Sequence, residues 1–241
     1  MSEQFLETNY LSPENLVKLV LALPKIPYFT SEYNKLKMDI YDFEALYKIC
    51  YYCALRITEA LDLQVEYFDL EHRILKLPKT KTGFEPCKVC SENEYLIYKQ
   101  VNRQRRIVGS KNKECEKCFG KGKARITQKT SINPVIIEEL KDYLKDKTGP
   151  LFKCSRVTAW KYAKLAGELA GLKVFEEQKK RSIEGVWTHL FRKSYAKLME
   201  LKGATPSLIM LKGRWSPREM YQTYTKPSLN ALIEWEARNF G

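Results

Sequence analysis

No stretch of this chain approaches the roughly 20 apolar residues needed to cross a bilayer. The best run, Leu16 to Leu23, is interrupted by Lys18 and stopped by Pro24, which excludes a membrane-spanning reading and leaves a soluble protein. The first ten residues, with two glutamates, lack the basic-then-apolar order of a secretory signal, so a reducing, cytoplasmic compartment is expected. Internal repeats and low-complexity tracts are absent, which excludes solenoids and fibrous architectures. Histidine is scarce, at two residues, and acids are outnumbered: 29 Asp and Glu face 42 Lys and Arg, a formal +13. An excess of that size points to a polyanionic partner, nucleic acid ahead of an acidic membrane. It is also clustered, since 13 basic residues against five acids fall between Lys79 and Arg125. The 241 residues leave room for one large domain, alone or with a smaller module.

What is present reads mainly as helix. Ser12-Pro13-Glu14 starts one, with serine as N-cap and proline at the first turn, running to Pro24. From Asp42, Phe43, Leu46, Ile49, Cys50 and Cys53 recur at helical spacing. Thr58 and Glu59 are expected to cap a short helix that follows, which places Arg56 at a helix junction. Ile74, Leu75 and Leu77 read as strand, with a returning strand in Ala124 to Ile132. Further helices are expected over Val135 to Lys145 and Thr158 to Ala170, the second carrying Lys161 and Lys164. Thr188 is expected to cap a helix ending before Gly203, and Thr205-Pro206 to start another ending at Gly213. Ser216-Pro217-Arg218-Glu219 reads as a capping box that puts Tyr221 and Tyr224 on one helix face.

Three segments carry chemistry together: Ala54-Leu55-Arg56-Ile57-Thr58-Glu59, His189-Leu190-Phe191-Arg192, and Gly213-Arg214-Trp215 with Tyr224 nine residues beyond. In this order and spacing they resemble the tyrosine recombinase family of phage integrases and Xer proteins, over roughly residues 11–226. The resemblance implies a catalytic domain that is mainly α with a small three-stranded antiparallel sheet. It also implies cleavage of DNA through a 3′-phosphotyrosine intermediate followed by rejoining. A free tyrosine, pKa about 10, is a poor nucleophile at neutral pH, so such a site must stabilise charge on the phosphate under attack. Guanidinium forks do this with bidentate bonds that strengthen as the oxygens gain charge. Arg56 and Arg192 match the family's arginine pair, His189 its histidine, Trp215 its His or Trp position, and Tyr224 its nucleophile, with Tyr221 as competitor. The family's hairpin lysine, which protonates the leaving 5′ oxygen, aligns with Lys81, with Lys79 in reserve. Ala54 stands where relatives usually have glycine. Relatives carry an N-terminal helical domain completing a clamp on DNA, so the chain is expected to be either a fragment or a minimal enzyme.

Cys87-x-x-Cys90 and Cys115-x-x-Cys118, separated by 24 residues, have the pattern of a structural Zn(Cys)4 site, disulfides being the alternative. They define an expected zinc-binding insert over 84–123, whose Arg103, Arg105 and Arg106 are candidate DNA contacts alongside Lys79, Lys161 and Lys164. The insert is expected to stand in for the clamp. Cys50, Cys53 and Cys154 read as core or incidental. Neither metal nor nucleotide is expected in the chemistry, because the covalent intermediate conserves the phosphodiester energy. Duplex DNA is the expected partner, with nucleoid association when bound and a homotetramer on synapsed DNA. Residues 227–241 form a tail expected to dock on a neighbouring protomer through Leu229, Leu232, Ile233 and Phe240. The alternatives are a type IB topoisomerase and a zinc-containing DNA-binding protein without catalysis.

Overall fold

The computed structural model describes residues 10–26, 38–78, 84–101, 104–172, 175–178 and 181–215. In chain order the elements are α1 (Pro13–Ala22), α2 (Ile40–Tyr52), α3 (Ile57–Leu61), β1 (Phe68–Asp69), β2 (Ile74–Leu77), β3 (Phe84–Pro86), α4 (Lys88–Glu92), β4 (Leu96–Val101), β5 (Gln104–Ser110), β6 (Lys123–Arg125), β7 (Gln128–Ser131), α5 (Ile137–Leu144), α6 (Arg156–Leu169), β8 (Phe175–Gln178), β9 (Arg181–Glu184), α7 (Thr188–Leu201) and α8 (Pro206–Gly213). Among the described residues no helix is long and apolar enough to cross a membrane. The chain divides into a larger unit, residues 1–75 and 130–241, and a smaller one, Lys76–Lys129.

In the larger unit α2 is the central helix, and aromatic packing fixes its place. Tyr47 stacks on Phe191 of α7 at 5.1 Å, and Phe43 stacks on Tyr162 of α6 at 4.6 Å. Both α2 rings are fully buried, so the Tyr47 hydroxyl needs a partner; it donates to the Ala159 carbonyl at 2.8 Å. Tyr51 donates to the carbonyl of Leu11, whose own N–H donates to Ser194 Oγ, so hydrogen bonds tie the approach to α1 to both α2 and α7. Asp39 and Asp42 form a reciprocal capping box at the α2 start. Asp42 also receives Tyr143 and Lys147, which satisfies a nearly buried carboxylate. Cys50 and Cys53 are fully buried in this core, in keeping with their apolar helix face.

The expected three-stranded sheet is present, in the order β1-β2-β7. Two caps differ from expectation. Arg56, not Thr58, is the N-cap of α3, because the Glu59 carboxylate accepts the Arg56 N–H at 2.9 Å. Trp187, not Thr188, precedes the first turn of α7, and Thr188 is itself helical and buried. Ser12 and Thr205 cap α1 and α8 as their sequence contexts indicate.

The smaller unit is built on the antiparallel pairs β3–β6 and β4–β5. Its core is Leu96 and the four cysteines, with Ile107 and Ala124 packed against them. Gly122 permits the fold here: a Cβ at this residue would lie 2.3 Å from the Gly109 carbonyl oxygen.

Candidate active site and metal centre

The α2–α3 junction presents Arg56 by an unusual backbone. Ala54 adopts a left-handed conformation, φ +50°, and its carbonyl turns towards two arginines. Arg192 Nη1 donates to it at 2.7 Å and Arg214 Nη2 at 3.4 Å. Arg192, reaching inward from α7, is fully buried and also donates to the Gly213 carbonyl. Trp215 lies beside it, with the guanidinium carbon 5.2 Å from the ring centroid. That ring sits against Gly213 so closely that a Cβ there would lie 2.6 Å from it. Trp215 thus packs on Arg192, Gly213 and a small cluster with Ala196 and Ile209.

One carboxylate collects these cations. Glu59, with a side chain only 2% exposed, accepts from Arg56 Nη1 at 2.7 Å and from Arg214 Nη2 at 2.6 Å, and lies 3.6 Å from Arg192 Nη1. Burial pushes its carboxyl up, but the Arg214 charge, the Arg56 N–H and the charges of Arg192 and Arg56 outweigh this and hold it below the ordinary value. Three guanidinium groups against one carboxylate leave two positive charges in excess. Glu59 and Arg214 are the members that sequence reasoning missed. Glu59 could have been found from its i, i+3 spacing to Arg56, and Arg214 from its place between Gly213 and Trp215. Like Ala54, Arg214 adopts a left-handed conformation, φ +51°, as the residue ending α8.

Arg56, at the edge of the arginine cluster, lines a cleft of about 410 Å³ together with Thr58, Arg156, Trp160, Thr188 and His189. His189 is in the first turn of α7, one turn before Arg192, so the cleft and the buried cluster share a helix. Arg156, Trp160 and Lys164 follow one another at i, i+4 spacing along α6, with Lys164 Nζ 5.9 Å from the Trp160 ring. Lys161 is exposed on the same helix. Behind the site, Lys212 is nearly buried and donates to the Ser131 carbonyl at 2.6 Å, joining α8 to β7; burial lowers its pKa. The structure therefore brings together Arg56, His189, Arg192 and Trp215. Lys79, Lys81, Arg103, Tyr224, its competitor Tyr221 and the tail 227–241 lie outside the described residues.

In the smaller unit Cys87, Cys90, Cys115 and Cys118 are buried, and their sulfurs all lie within 4.8 Å of one another. The Cys87–Cys115 and Cys90–Cys118 separations of 3.7 and 3.5 Å are close to the edge of a ZnS4 tetrahedron, about 3.8 Å for bonds of about 2.3 Å. Ser110 Oγ donates to Cys90 Sγ at 3.1 Å, a supporting bond of the kind metal thiolates receive. Burial opposes ionisation of Cys115, yet the N–H groups of Cys118 and Lys117 and the Cys90 and Cys118 thiols bring it down to about 7. The group could hold a metal.

Residues 11–230 match the sequence profile described as "Phage integrase family". This chain belongs to the phage integrase family. The integrase-family assignment agrees with the solved structures of similar fold. XerA recombinase superposes with a TM-score of 0.58 at 17% identity, covering 96% of this chain and 65% of that one. XerH recombinase bound to palindromic difH substrate gives 0.53 at 19%, covering 95% and 52%. The catalytic domain of bacteriophage HP1 integrase gives 0.52 at 16%, covering 98% and 96%. The integrase-family chain thus spans less than two thirds of the length of these Xer recombinases and nearly all of the HP1 catalytic domain. No curated protein sequence matches it.

Proposed function

We propose that this chain is a tyrosine-type site-specific DNA recombinase. The observation that carries the reading is the convergence of Arg56, Arg192 and Arg214 on Glu59 beside a cleft that also holds His189. Such an excess of fixed positive charge suits a phosphodiester whose non-bridging oxygens gain charge as it is attacked. In this reading the Tyr224 oxygen attacks phosphorus, its proton passing to His189. The bond to the 5′ oxygen breaks, and that oxygen takes a proton from Lys81. The products are a 3′-phosphotyrosine and a free 5′-hydroxyl; attack by a 5′-hydroxyl on the phosphotyrosine reverses the step and rejoins the strand. Arg56 and Arg192 bind the phosphate, Glu59 orients them, and Trp215 packs Arg192 in place.

The Cys87, Cys90, Cys115 and Cys118 group would hold one structural zinc, which fixes the fold of the insert and takes no part in cleavage. Lys79, Arg103, Arg105, Arg106, Lys161 and Lys164 would contact duplex DNA, and the insert would supply part of the grip that an N-terminal clamp gives elsewhere. The tail 227–241 would dock on a neighbouring protomer within a DNA-bound homotetramer, in the cytoplasm.

The test incubates the full chain with nicked suicide duplexes and looks for a covalent protein–DNA adduct. Tyr224→Phe is expected to abolish the adduct and retain DNA binding, since one oxygen and no charge is removed. An adduct that survives in Tyr224→Phe and disappears in Tyr221→Phe would overturn the assignment. One observation favours a second reading, a DNA-binding protein without catalysis: Arg192 is fully buried and bonded to two backbone carbonyls. Tight duplex binding with no adduct from the wild-type chain would establish that reading.

A further inference from the structure

The cysteine group anchors a feature that strand cleavage does not use. The β4–β5 ribbon leaves the cysteine core through bonds at its base. Tyr95 N–H donates to the Cys90 carbonyl and Lys111 N–H to the Tyr95 carbonyl, both at 2.8 Å, while Ser110 N–H donates to the Gly120 carbonyl and Ser110 Oγ to Cys90 Sγ. Both knuckles therefore grip the ribbon, and its orientation within the smaller unit is fixed by the same residues that would hold a metal.

Its two faces differ. Register pairs Tyr98 with Ile107 and Gln100 with Arg105 on one face, and Lys99 with Arg106 and Val101 with Gln104 on the other. The first face is covered only at its base, where Ile107 packs on the cysteines; further out Tyr98, Gln100 and Arg105 are exposed, with Arg105 engaged 4.2 Å over the Tyr98 ring. The second face is open: Lys99, Val101, Gln104 and Arg106 are all exposed. Lys99 directly opposes Arg106, a like-charge pairing that weakens a ribbon, and residues 96–110 contain no acid to relieve it. Arg106 Nη2 donates to Gln104 Oε1 at 3.3 Å, which holds the two side chains together on the open face.

A six-residue strand spans about 20 Å, the length of about six base pairs, and the major groove admits a two-stranded ribbon. The open face also carries the groups that distinguish base pairs there: arginine and lysine pair with guanine, glutamine with adenine, and an apolar side chain meets the thymine methyl. A grip on phosphates alone would have no use for Val101.

We propose that the β4–β5 ribbon is a base-reading arm that enters the major groove of duplex DNA with Lys99, Val101, Gln104 and Arg106 facing the base edges. This rests on the reading that the chain binds duplex DNA, and it adds sequence choice by the insert to cleavage by the larger unit. The smaller unit thereby sets where the enzyme acts.

The experiment selects duplexes from a pool with a randomised segment, using the whole 241-residue chain prepared in the presence of zinc. The wild-type chain is expected to enrich a motif of a few base pairs. Gln104→Ala and Arg106→Ala should each erase the preference at one position, by about tenfold, and leave the rest of the motif intact. Arg106→Lys, which keeps the charge and loses the fork, should shift the preference without changing the salt dependence of binding. Gln100→Ala, on the face that carries Ile107, should keep the whole motif. An identical motif from the wild type, Gln104→Ala and Arg106→Ala overturns the proposal, as does duplex binding by the wild type without any motif, or binding confined to single strands. Failure to bind any nucleic acid would instead sink the broader recombinase reading.

Discussion

Replacing Glu59 by glutamine should dismantle the arginine cluster. The carboxylate receives Arg56 on Oε1, and Arg214 and the Arg56 N–H on Oε2, with Arg192 3.6 Å away. An amide nitrogen placed at either oxygen position would point its hydrogens at a guanidinium, and the remaining carbonyl could not neutralise three cations. Removing one partner of a buried ion pair costs about 3–5 kcal/mol, and the 2% exposure of the Glu59 side chain leaves little solvent screening to discount it. Against a total stability of roughly 5–15 kcal/mol, the variant should unfold at a much lower urea concentration. Tryptophan fluorescence isolates the effect, because Trp160, Trp187 and Trp215 belong to the larger unit and no tryptophan falls within Lys76–Lys129. The effect also has a pH signature. With its folded-state pKa below the ordinary 4.5, Glu59 stabilises the fold fully above that value, and the contribution is lost as pH falls through the folded value. Stability of the wild type should therefore fall more steeply below pH 4.5 than that of Glu59→Gln. A loss under about 1 kcal/mol at neutral pH, the range of exposed pairs, with identical acid profiles, would refute the reasoning.

Two further perturbations bear on the backbone and the metal. Ala54→Gly should raise stability by about 0.5–1 kcal/mol, as relief of left-handed strain exceeds the added entropy of glycine in the unfolded chain; a lower melting temperature for the glycine variant would count against this. Freshly prepared reduced protein should contain one zinc per chain. A chelator should abolish protection of amide hydrogens in Lys76–Lys129 while leaving tryptophan fluorescence of the larger unit almost unchanged; absence of zinc, or global unfolding on chelation, would contradict it.

Much of this was legible because the signals are local. Ser12 before Pro13 and Thr205 before Pro206 announce helix starts, and the fold follows those caps and the apolar periodicity of α2. The motifs around Arg56, His189, Arg192 and Trp215 pointed to one constellation, and the structure gathers these four residues in the larger unit. Glu59 was misread as a helper of Thr58 because its decisive partners, Arg192 and Arg214, are 133 and 155 residues away in sequence. A linear pattern cannot show that three distant cations need one buried anion. The same holds for Trp215, whose motif position says nothing of the contacts the fold gives it against Arg192 and Gly213.

The ladder of β3 and β6 has a consequence for the host sheet. Phe84 opposes Arg125 and Pro86 opposes Lys123, so the excursion between β2 and β7 is stitched shut near its root. An open excursion of about fifty residues would tax the joining of β2 to β7 by about 2 kcal/mol more than a four-residue connection, at about 0.6 kcal/mol for each doubling of length. Closed by its own ladder and knuckles, it presents the sheet with the statistics of a short turn. Sequence within the ribbon can then diverge or lengthen with little thermodynamic consequence for the cluster around Glu59, so that changes in the smaller unit need not be matched by changes in the larger.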